Sequence, residues 1–235
     1  MYTRWKFTVL LTTILLLLVV HPLLWGGADL PLLHYAFLAA AMLGVLLALY
    51  ARTASRIPAL VLGVPAFVGL IAIHAVPAAP PLIAAIFLHI LPILFIGYAA
   101  YTILTILFRG VAVTADDING AFCGYLPIGI AFAHVYGVVE LFRPGSFNLP
   151  AYLGAMPENE AARQGVLTYF SLVTLTTVGY GDVTAVSPPA RSLACVEAVI
   201  GQFYIAVVVA ELIGIKLAAA MRDRGSDRPA APGPS

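Results

Sequence analysis

The chain has 235 residues, of which 62% are hydrophobic and 10% are charged, and its formal net charge is +1. Soluble domains carry about 25% charged residues, so this composition excludes an ordinary soluble protein and indicates an integral membrane protein. The small net charge gives no basic field that would favour nucleic acid as a partner. The two cysteines, Cys123 and Cys195, lie in apolar stretches and are predicted to be small buried residues rather than a disulfide or zinc framework.

Six apolar stretches are long enough to cross a bilayer, which takes about 20 residues as a helix. We expect the first stretch to be a retained span, because its apolar run is long for a signal peptide and no small-residue cleavage site follows it. Lysine and arginine concentrate in alternate short connections, which predicts that both termini are cytoplasmic. The predicted fold class is therefore an all-α polytopic membrane protein with six transmembrane helices. These are residues 7–26, 30–50, 57–76, 81–107, 119–142 and 192–216.

The first four spans form a predicted transmembrane region at residues 1–107. A voltage sensor needs several lysines or arginines along one span, and residues 81–107 contain none, so we expect no steep voltage gating. Residues 108–118 are predicted to be a cytoplasmic linker, and the Pro- and Ala-rich residues 217–235 a disordered cytoplasmic tail. The five histidines show no i, i+4 pair, so we expect them to form hydrogen bonds between helices rather than a helical metal site.

A seventh apolar stretch, residues 165–177, is too short to span the membrane, since 13 helical residues rise only about 20 Å. It follows a span that is predicted to end outside, so it enters from the outside and stops partway, with its partly negative carbonyl end in the interior. The chain must return through residues 178–182 as non-helical backbone, which survives at membrane depth only inside protein or beside a water-filled cavity. Gly179 and Gly181 allow conformations in which successive carbonyls turn to one side.

Residues 177–182 read Thr-Val-Gly-Tyr-Gly-Asp, and a span, a half-helix and a second span surround them. Over residues 119–216 the chain resembles a potassium channel with a single pore loop, of the prokaryotic type, whose two-transmembrane pore domain follows four non-voltage-sensing helices. The resemblance implies a re-entrant pore helix and a selectivity-filter loop. The implied K⁺ ligands are the Thr177 hydroxyl and the carbonyls of Thr177, Val178, Gly179 and Tyr180, in a filter completed by Gly181.

One chain carries one such loop, and a filter ring needs four. The resemblance therefore implies a homotetramer around a four-fold axis, in a lipid bilayer that would be the bacterial plasma membrane. Around the filter, Tyr180 would brace the loop from behind, Thr176 would support it, and Asp182 would lie at the external mouth. Tyr169 would either donate a hydrogen bond to Asp182 or only pack as an aromatic ring.

On span six we expect Gln202, Ile205 and Val209 to line an inner cavity. Glu197 projects about 140° away from Gln202, at about 100° per residue, so a hydrogen bond to the pore helix or to span five is expected for it. Gly201 is either a hinge of this helix, as the resemblance implies, or a site of close helix packing.

These features predict a potassium-selective channel subunit that conducts K⁺ passively, is not an enzyme and needs no cofactor. One alternative is a secondary cation transporter that uses a single re-entrant loop, although transporters usually carry broken helices in paired positions. Another is a membrane sensor or enzyme that carries the motif by accident, which would need a cluster of acids, bases or metal ligands around one cavity.

Overall fold

A computed structural model of the chain describes residues 6–25, 53–75, 82–108, 115–149 and 160–226. Within these ranges the chain is helical except for turns, loops and one pair of two-residue strands, β1 (Phe147–Asn148) and β2 (Thr184–Ala185). The span predicted at residues 30–50 lies outside the described residues. The helices are α1 (Lys6–Trp25), α2 (Thr53–Ala75), α3 (Leu82–Phe108), α4 (Ala115–Phe142), α5 (Glu160–Leu175) and α6 (Pro188–Ser226).

Three helices of the described part of the chain are long and apolar enough to cross a membrane. Their apolar segments are Leu82–Thr102 in α3, Asn119–Phe142 in α4 and Pro188–Ile215 in α6. Shorter apolar segments, Phe7–Leu16 and Ile57–Gly69, belong to α1 and α2. The chain is an all-α polytopic membrane protein, as the composition predicts.

Two histidines join α3 to α4. His89 lies near the start of α3 and His134 near the end of α4, so the two helices are antiparallel. Their Nδ1 atoms are 3.2 Å apart in a buried hydrogen bond. Gly137 makes this approach possible, because a Cβ atom there would lie 2.3 Å from Cε1 of His89. For these two histidines, the predicted hydrogen bond between helices is confirmed.

The opposite end of α4 contacts α1 and α6. Asn119 donates a hydrogen bond to the Thr8 hydroxyl over 2.9 Å, so α1 and α4 begin at the same side of the bundle. The Tyr204 hydroxyl of α6 donates to the Ala121 carbonyl over 2.7 Å. Further along α4, Tyr136 contacts Glu197, which comes earlier in α6 than Tyr204, so α4 and α6 are antiparallel.

Helix α5 runs antiparallel to α4 and ends partway along it. The Ser171 hydroxyl lies 2.6 Å from the Gly129 carbonyl, and the Tyr125 hydroxyl donates to the Leu175 carbonyl over 2.9 Å. Tyr125 lies within the segment of α4 that is long and apolar enough to cross a membrane, so α5 ends level with that segment rather than beyond it. The chain then returns to the Phe142 end of α4, where β2 pairs antiparallel with β1. Residues 160–185 thus form a re-entrant segment.

An aromatic cluster fills the space between this segment and α4. The rings of Tyr136, Phe147 and Phe170 meet edge to face, with centroids 5.2–5.3 Å apart. Such edge-to-face pairs are worth about 0.5–1.5 kcal/mol each beyond the area they bury. The three rings come from α4, β1 and α5, so the cluster fixes the depth of α5 relative to α4.

The observed ends of α5 and α6 differ from the prediction. Helix α5 begins at Glu160 and ends at Leu175 rather than covering 165–177. Its first five residues, Glu-Ala-Ala-Arg-Gln, are good helix formers but too polar to appear in a search for apolar runs. Helix α6 extends to Ser226, so the first part of the predicted disordered tail is helical. Residues 217–221, Leu-Ala-Ala-Ala-Met, are strong helix formers and explain the extension.

Glu140 shapes the turn that follows α4. Its carboxylate oxygens accept hydrogen bonds from the backbone N–H groups of Gly145, over 2.7 Å, and Ser146, over 3.0 Å. The glycine has a φ of 81°, which favours a residue without Cβ. The carboxylate is buried and serves the turn that leads into β1.

Helix α6 packs against the last turn of α5 through Gly201. A Cβ atom at Gly201 would lie 2.2 Å from the Leu175 carbonyl oxygen and 3.1 Å from its carbon, so no larger residue fits without movement of backbone. Of the two interpretations that the sequence left open, close packing is observed, whereas the hinge stays a prediction.

We predict that Gly201→Ala destabilises the protein by about 1–3 kcal/mol, the usual cost of overpacking. Gly214→Ala is the matched control, because it changes the same helix at a position with nothing within 4 Å of an added Cβ. Thermal unfolding in detergent, followed by circular dichroism, measures both variants. Equal stability of the two variants would contradict the packing role of Gly201.

Candidate functional site

The centre of the re-entrant segment is the TVGYG loop, residues 177–181, which begins where α5 ends. The Val178 N–H donates to the Val173 carbonyl over 3.0 Å, and the Thr177 N–H donates to the Thr174 carbonyl over 2.9 Å. These two bonds define a Schellman motif with Thr177 at its left-handed position. The motif satisfies two carbonyls of the last turn of α5 and turns the chain back towards the surface.

Thr177 adopts a backbone conformation that is unfavourable for its side chain. Its φ is 58°, and it is the only non-glycine residue with positive φ in the described part of the chain. Helices usually place glycine at this position of a Schellman motif, and positive φ is a rare outlier for a β-branched residue. Backbone strain of this kind concentrates at functional sites, so the conformation of Thr177 marks this residue as a candidate.

The backbone of the loop alternates in the sign of φ. Thr177, Gly179 and Gly181 have φ values of 58°, 58° and 78°, whereas the intervening Val178 and Tyr180 do not have positive φ. Alternation of right- and left-handed residues turns successive N–H groups to one side, as in anion-binding nests. Because N–H and C=O point in opposite directions across a planar peptide, the carbonyls can then share the other side.

The loop is open on the surface of the single chain. Val178 is 51% exposed and Tyr180 is 72% exposed. The described part of this chain therefore does not cover Tyr180, although the family resemblance implies a bracing position for it. Thr176 is also exposed, and its hydroxyl donates to the Leu172 carbonyl of α5 over 2.7 Å.

Asp182 and Tyr169 form a hydrogen bond at the end of the loop that is nearer to β2. The Tyr169 hydroxyl donates to Oδ2 of Asp182 over 2.7 Å, and the Val183 N–H donates to Oδ1 over 2.9 Å. The hydrogen bond from Tyr169 is the largest influence and lowers the pKa of Asp182; desolvation opposes it, and backbone hydrogen bonds add to the lowering. The exposed carboxyl group is thus held in its anionic form where the loop rejoins the surface.

Gln202 lies at the opposite end of the loop. Its Nε2 donates to the Thr177 hydroxyl oxygen over 3.3 Å, so this residue of α6 reaches the loop where it leaves α5. Ile205 is 44% exposed on the same helix. The side chain of Val209, the third residue predicted to line a cavity, lies outside the described part of the structure.

Glu197 faces away from Gln202, as the helical spacing predicts. It is fully buried, and its carboxyl oxygens contact the hydroxyls of Ser171 on α5 and Tyr136 on α4. The sequence predicted a hydrogen bond from Glu197 to the pore helix or to span five, and both of these interactions are present. Cys195 is exposed, so its predicted burial is wrong, whereas Cys123 is buried as expected.

Sequence reasoning did not single out the residues of α4 that hold α5 in place. Tyr125, Gly129 and Tyr136 each contact α5 or its partner Glu197. Their spacing of i, i+4 and i+11 places them on one face of the helix. Two tyrosines and a small residue on one face of an apolar span were the available signal, but their partners depend on the depth at which α5 ends.

The chemistry available at the loop is that of uncharged oxygen. Carbonyl groups and the Thr177 hydroxyl can replace the water around a desolvated monovalent cation. Among the described residues, no group of three or more His, Cys, Asp or Glu residues could hold a metal ion. The loop therefore offers neutral oxygen atoms, the kind of ligand that suits a monovalent cation.

Comparison with known families bears on this region. Residues 158–215 match a family model described as "Ion channel". The match covers about a quarter of the chain and contains α5, the TVGYG loop and most of α6. This region is therefore similar to the ion-channel family, and an ion channel is the class of protein that the match supports. No curated protein and no solved structure matches the chain at a significant level.

We predict that Thr177→Gly increases stability by about 0.5–1 kcal/mol. Relief of left-handed strain of about 1–2 kcal/mol outweighs the entropy of about 0.5–1 kcal/mol that glycine loses on folding. Thr176→Gly is the matched control and should lower stability, because residue 176 does not have positive φ. Thermal unfolding in potassium-free buffer, where ion binding does not contribute, measures both. A loss of stability in Thr177→Gly equal to that of the control would contradict the assignment of strain.

Proposed function

We propose that this protein is a potassium-selective channel subunit whose TVGYG loop forms one quarter of a tetrameric filter. K⁺ passes down its gradient through sites made by the carbonyls of Thr177, Val178, Gly179 and Tyr180, with the Thr177 hydroxyl at the inner end. The observation that carries the proposal is the alternating sign of φ along the loop, with strained Thr177 at its start. A backbone of this kind can turn successive carbonyl oxygens to one side, and a row of such ligands is what dehydration of a cation requires.

The orientation of α5 supports the same function. Its carbonyl end lies inside the membrane beside the start of the loop, and the partial negative charge of a helix C-terminus favours a cation there. Gln202 donates to the Thr177 hydroxyl oxygen, which orients this hydroxyl at the inner end of the row. Asp182 adds an anionic group at the outer end, where it attracts cations from bulk solution.

The exposure of the loop supports the proposed homotetramer. Non-helical backbone at membrane depth is tolerated only inside protein or around a water-filled cavity, yet Val178 and Tyr180 are largely uncovered in the single chain. Three further copies would bury their outward faces and close the ring, with Tyr180 packed against the neighbouring copy. We place the complex in a plasma membrane, with both termini in the cytoplasm.

A secondary transporter is the competing function. Transporters of that kind bind ions at broken helices in paired positions of two repeats. The described residues contain one re-entrant segment, which favours the channel. We further propose that gating does not use a voltage sensor in α3, because residues 81–107 carry no lysine or arginine.

Uptake of ⁸⁶Rb⁺ into liposomes tests the proposal. The full chain, reconstituted in liposomes loaded with K⁺, should accumulate Rb⁺ until the gradient dissipates, and external Ba²⁺ should block the uptake. No coupled movement of protons or Na⁺ should accompany it. Absence of Rb⁺ uptake, or uptake that requires a proton or Na⁺ gradient, would contradict a passive potassium channel.

Gly179→Ala and Gly145→Ala form a matched pair for this assay. Both glycines have positive φ and nothing within 4 Å of an added Cβ, so alanine imposes similar strain of about 1–2 kcal/mol at each. Only residue 179 lies in the TVGYG loop. We expect Gly179→Ala to reduce Rb⁺ uptake by about tenfold or more, since each 1.4 kcal/mol is tenfold, and Gly145→Ala to retain it. Equal uptake by both variants would place conduction elsewhere.

A further inference from the structure

Three buried polar side chains meet between α4, α5 and α6, away from the contact between Gln202 and the TVGYG loop. Glu197 of α6, Ser171 of α5 and Tyr136 of α4 are each 0% exposed. Ser171 contacts Oε1 of Glu197 and also lies 2.6 Å from the carbonyl oxygen of Gly129. Tyr136 lies 2.5 Å from Oε2. One carboxyl group therefore connects all three helices of the re-entrant unit.

The number of protons available in this cluster decides whether Glu197 is protonated or ionised. A serine hydroxyl carries one proton, and the Gly129 carbonyl can only accept it. If Ser171 donates to Gly129, the contact between Ser171 and Glu197 needs a second proton, which only the carboxyl group can supply. If Ser171 instead donates to an ionised Glu197, two acceptor oxygens face each other across 2.6 Å without a proton.

We propose that Glu197 is held as an uncharged carboxylic acid and is a positioning residue that fixes α6 to the back of α5. Its proton is donated from Oε1 to Ser171, whose own proton goes to Gly129, while Tyr136 donates to Oε2. Every donor and acceptor in the cluster is then paired. The carboxyl group carries no charge, which suits a fully buried site where both of its partners are neutral hydroxyl groups.

This cluster ties α6 to the helix from which the loop begins. Ser171 lies one turn before Leu175, whose carbonyl borders Gly201 of α6. Two contacts thus join α6 to α5, one at Glu197 and one at Gly201, and they lie one turn apart on α6. The Glu197 contact therefore helps to hold the last turn of α5, from which the loop begins.

Infrared spectroscopy tests the protonation state directly. The full chain in lipid at neutral pH should show the carbonyl stretch of a protonated carboxylic acid, because its exposed acids are ionised and absorb elsewhere. This band should disappear in Glu197→Gln and persist in Glu211→Gln, which removes an exposed acid from the same helix. If Glu197→Gln removes no band of a protonated carboxylic acid, the proposal is overturned.

Substitutions provide an independent test. Glutamine copies the protonated acid, because its amide donates to Ser171 and its oxygen accepts from Tyr136. Glu197→Gln should therefore retain thermal stability and Rb⁺ uptake within about twofold, whereas Glu197→Ala, which leaves buried hydroxyls unpaired, should reduce uptake by about tenfold. Equal damage by both variants would indicate an ionised Glu197 and overturn the proposal.

The uptake measurement rests on the proposed channel function, but the infrared band does not. A wild-type protein that shows the band and carries no Rb⁺ would overturn the channel and leave the protonated acid supported. A protein that carries Rb⁺ without the band would support the channel and overturn the protonated acid.

Discussion

The structure depends on one constraint, which is that backbone leaving a helix inside a membrane must find partners for its polar groups. Helix α5 ends beside Tyr125, within the membrane-crossing segment of α4, so its last carbonyls need hydrogen-bond partners there. The Schellman motif satisfies two of them, and the Tyr125 hydroxyl satisfies the carbonyl of Leu175. In the proposed channel, the carbonyls of the loop itself are satisfied by a cation and by neighbouring copies of the chain.

The strain at Thr177 and the polar cluster at Glu197 are two consequences of this constraint. A glycine would end α5 at lower cost, but it would supply no hydroxyl at the inner end of the loop. The cluster behind α5 holds the helix while its front is exposed, and it does so through neutral hydrogen bonds that suit a membrane interior. Rigidity behind the loop and strain within it are therefore complementary features of one site.

Much of the fold could be predicted because its physical cause is local. Apolar stretches of sufficient length identify spans, and a short apolar stretch followed by glycines identifies a re-entrant segment. The start of α5 at Glu160 could not be found this way, since its first turn is polar. The positive φ of Thr177 could not be predicted from the residue type, because a threonine side chain disfavours this conformation. The pairing of His89 with His134 and the exposure of Cys195 depend on which helix faces pack, which no single span reveals.

We propose that the TVGYG loops of four chains select K⁺ by replacing its water with backbone carbonyls. The most direct test is the reversal potential of the purified protein in a planar bilayer, with K⁺ on one side and an equal concentration of Na⁺ on the other. We predict currents carried by K⁺ that reverse far from zero, in the direction of the K⁺ equilibrium potential. Currents that reverse near zero would show that the loop does not discriminate between the two ions and would contradict this account.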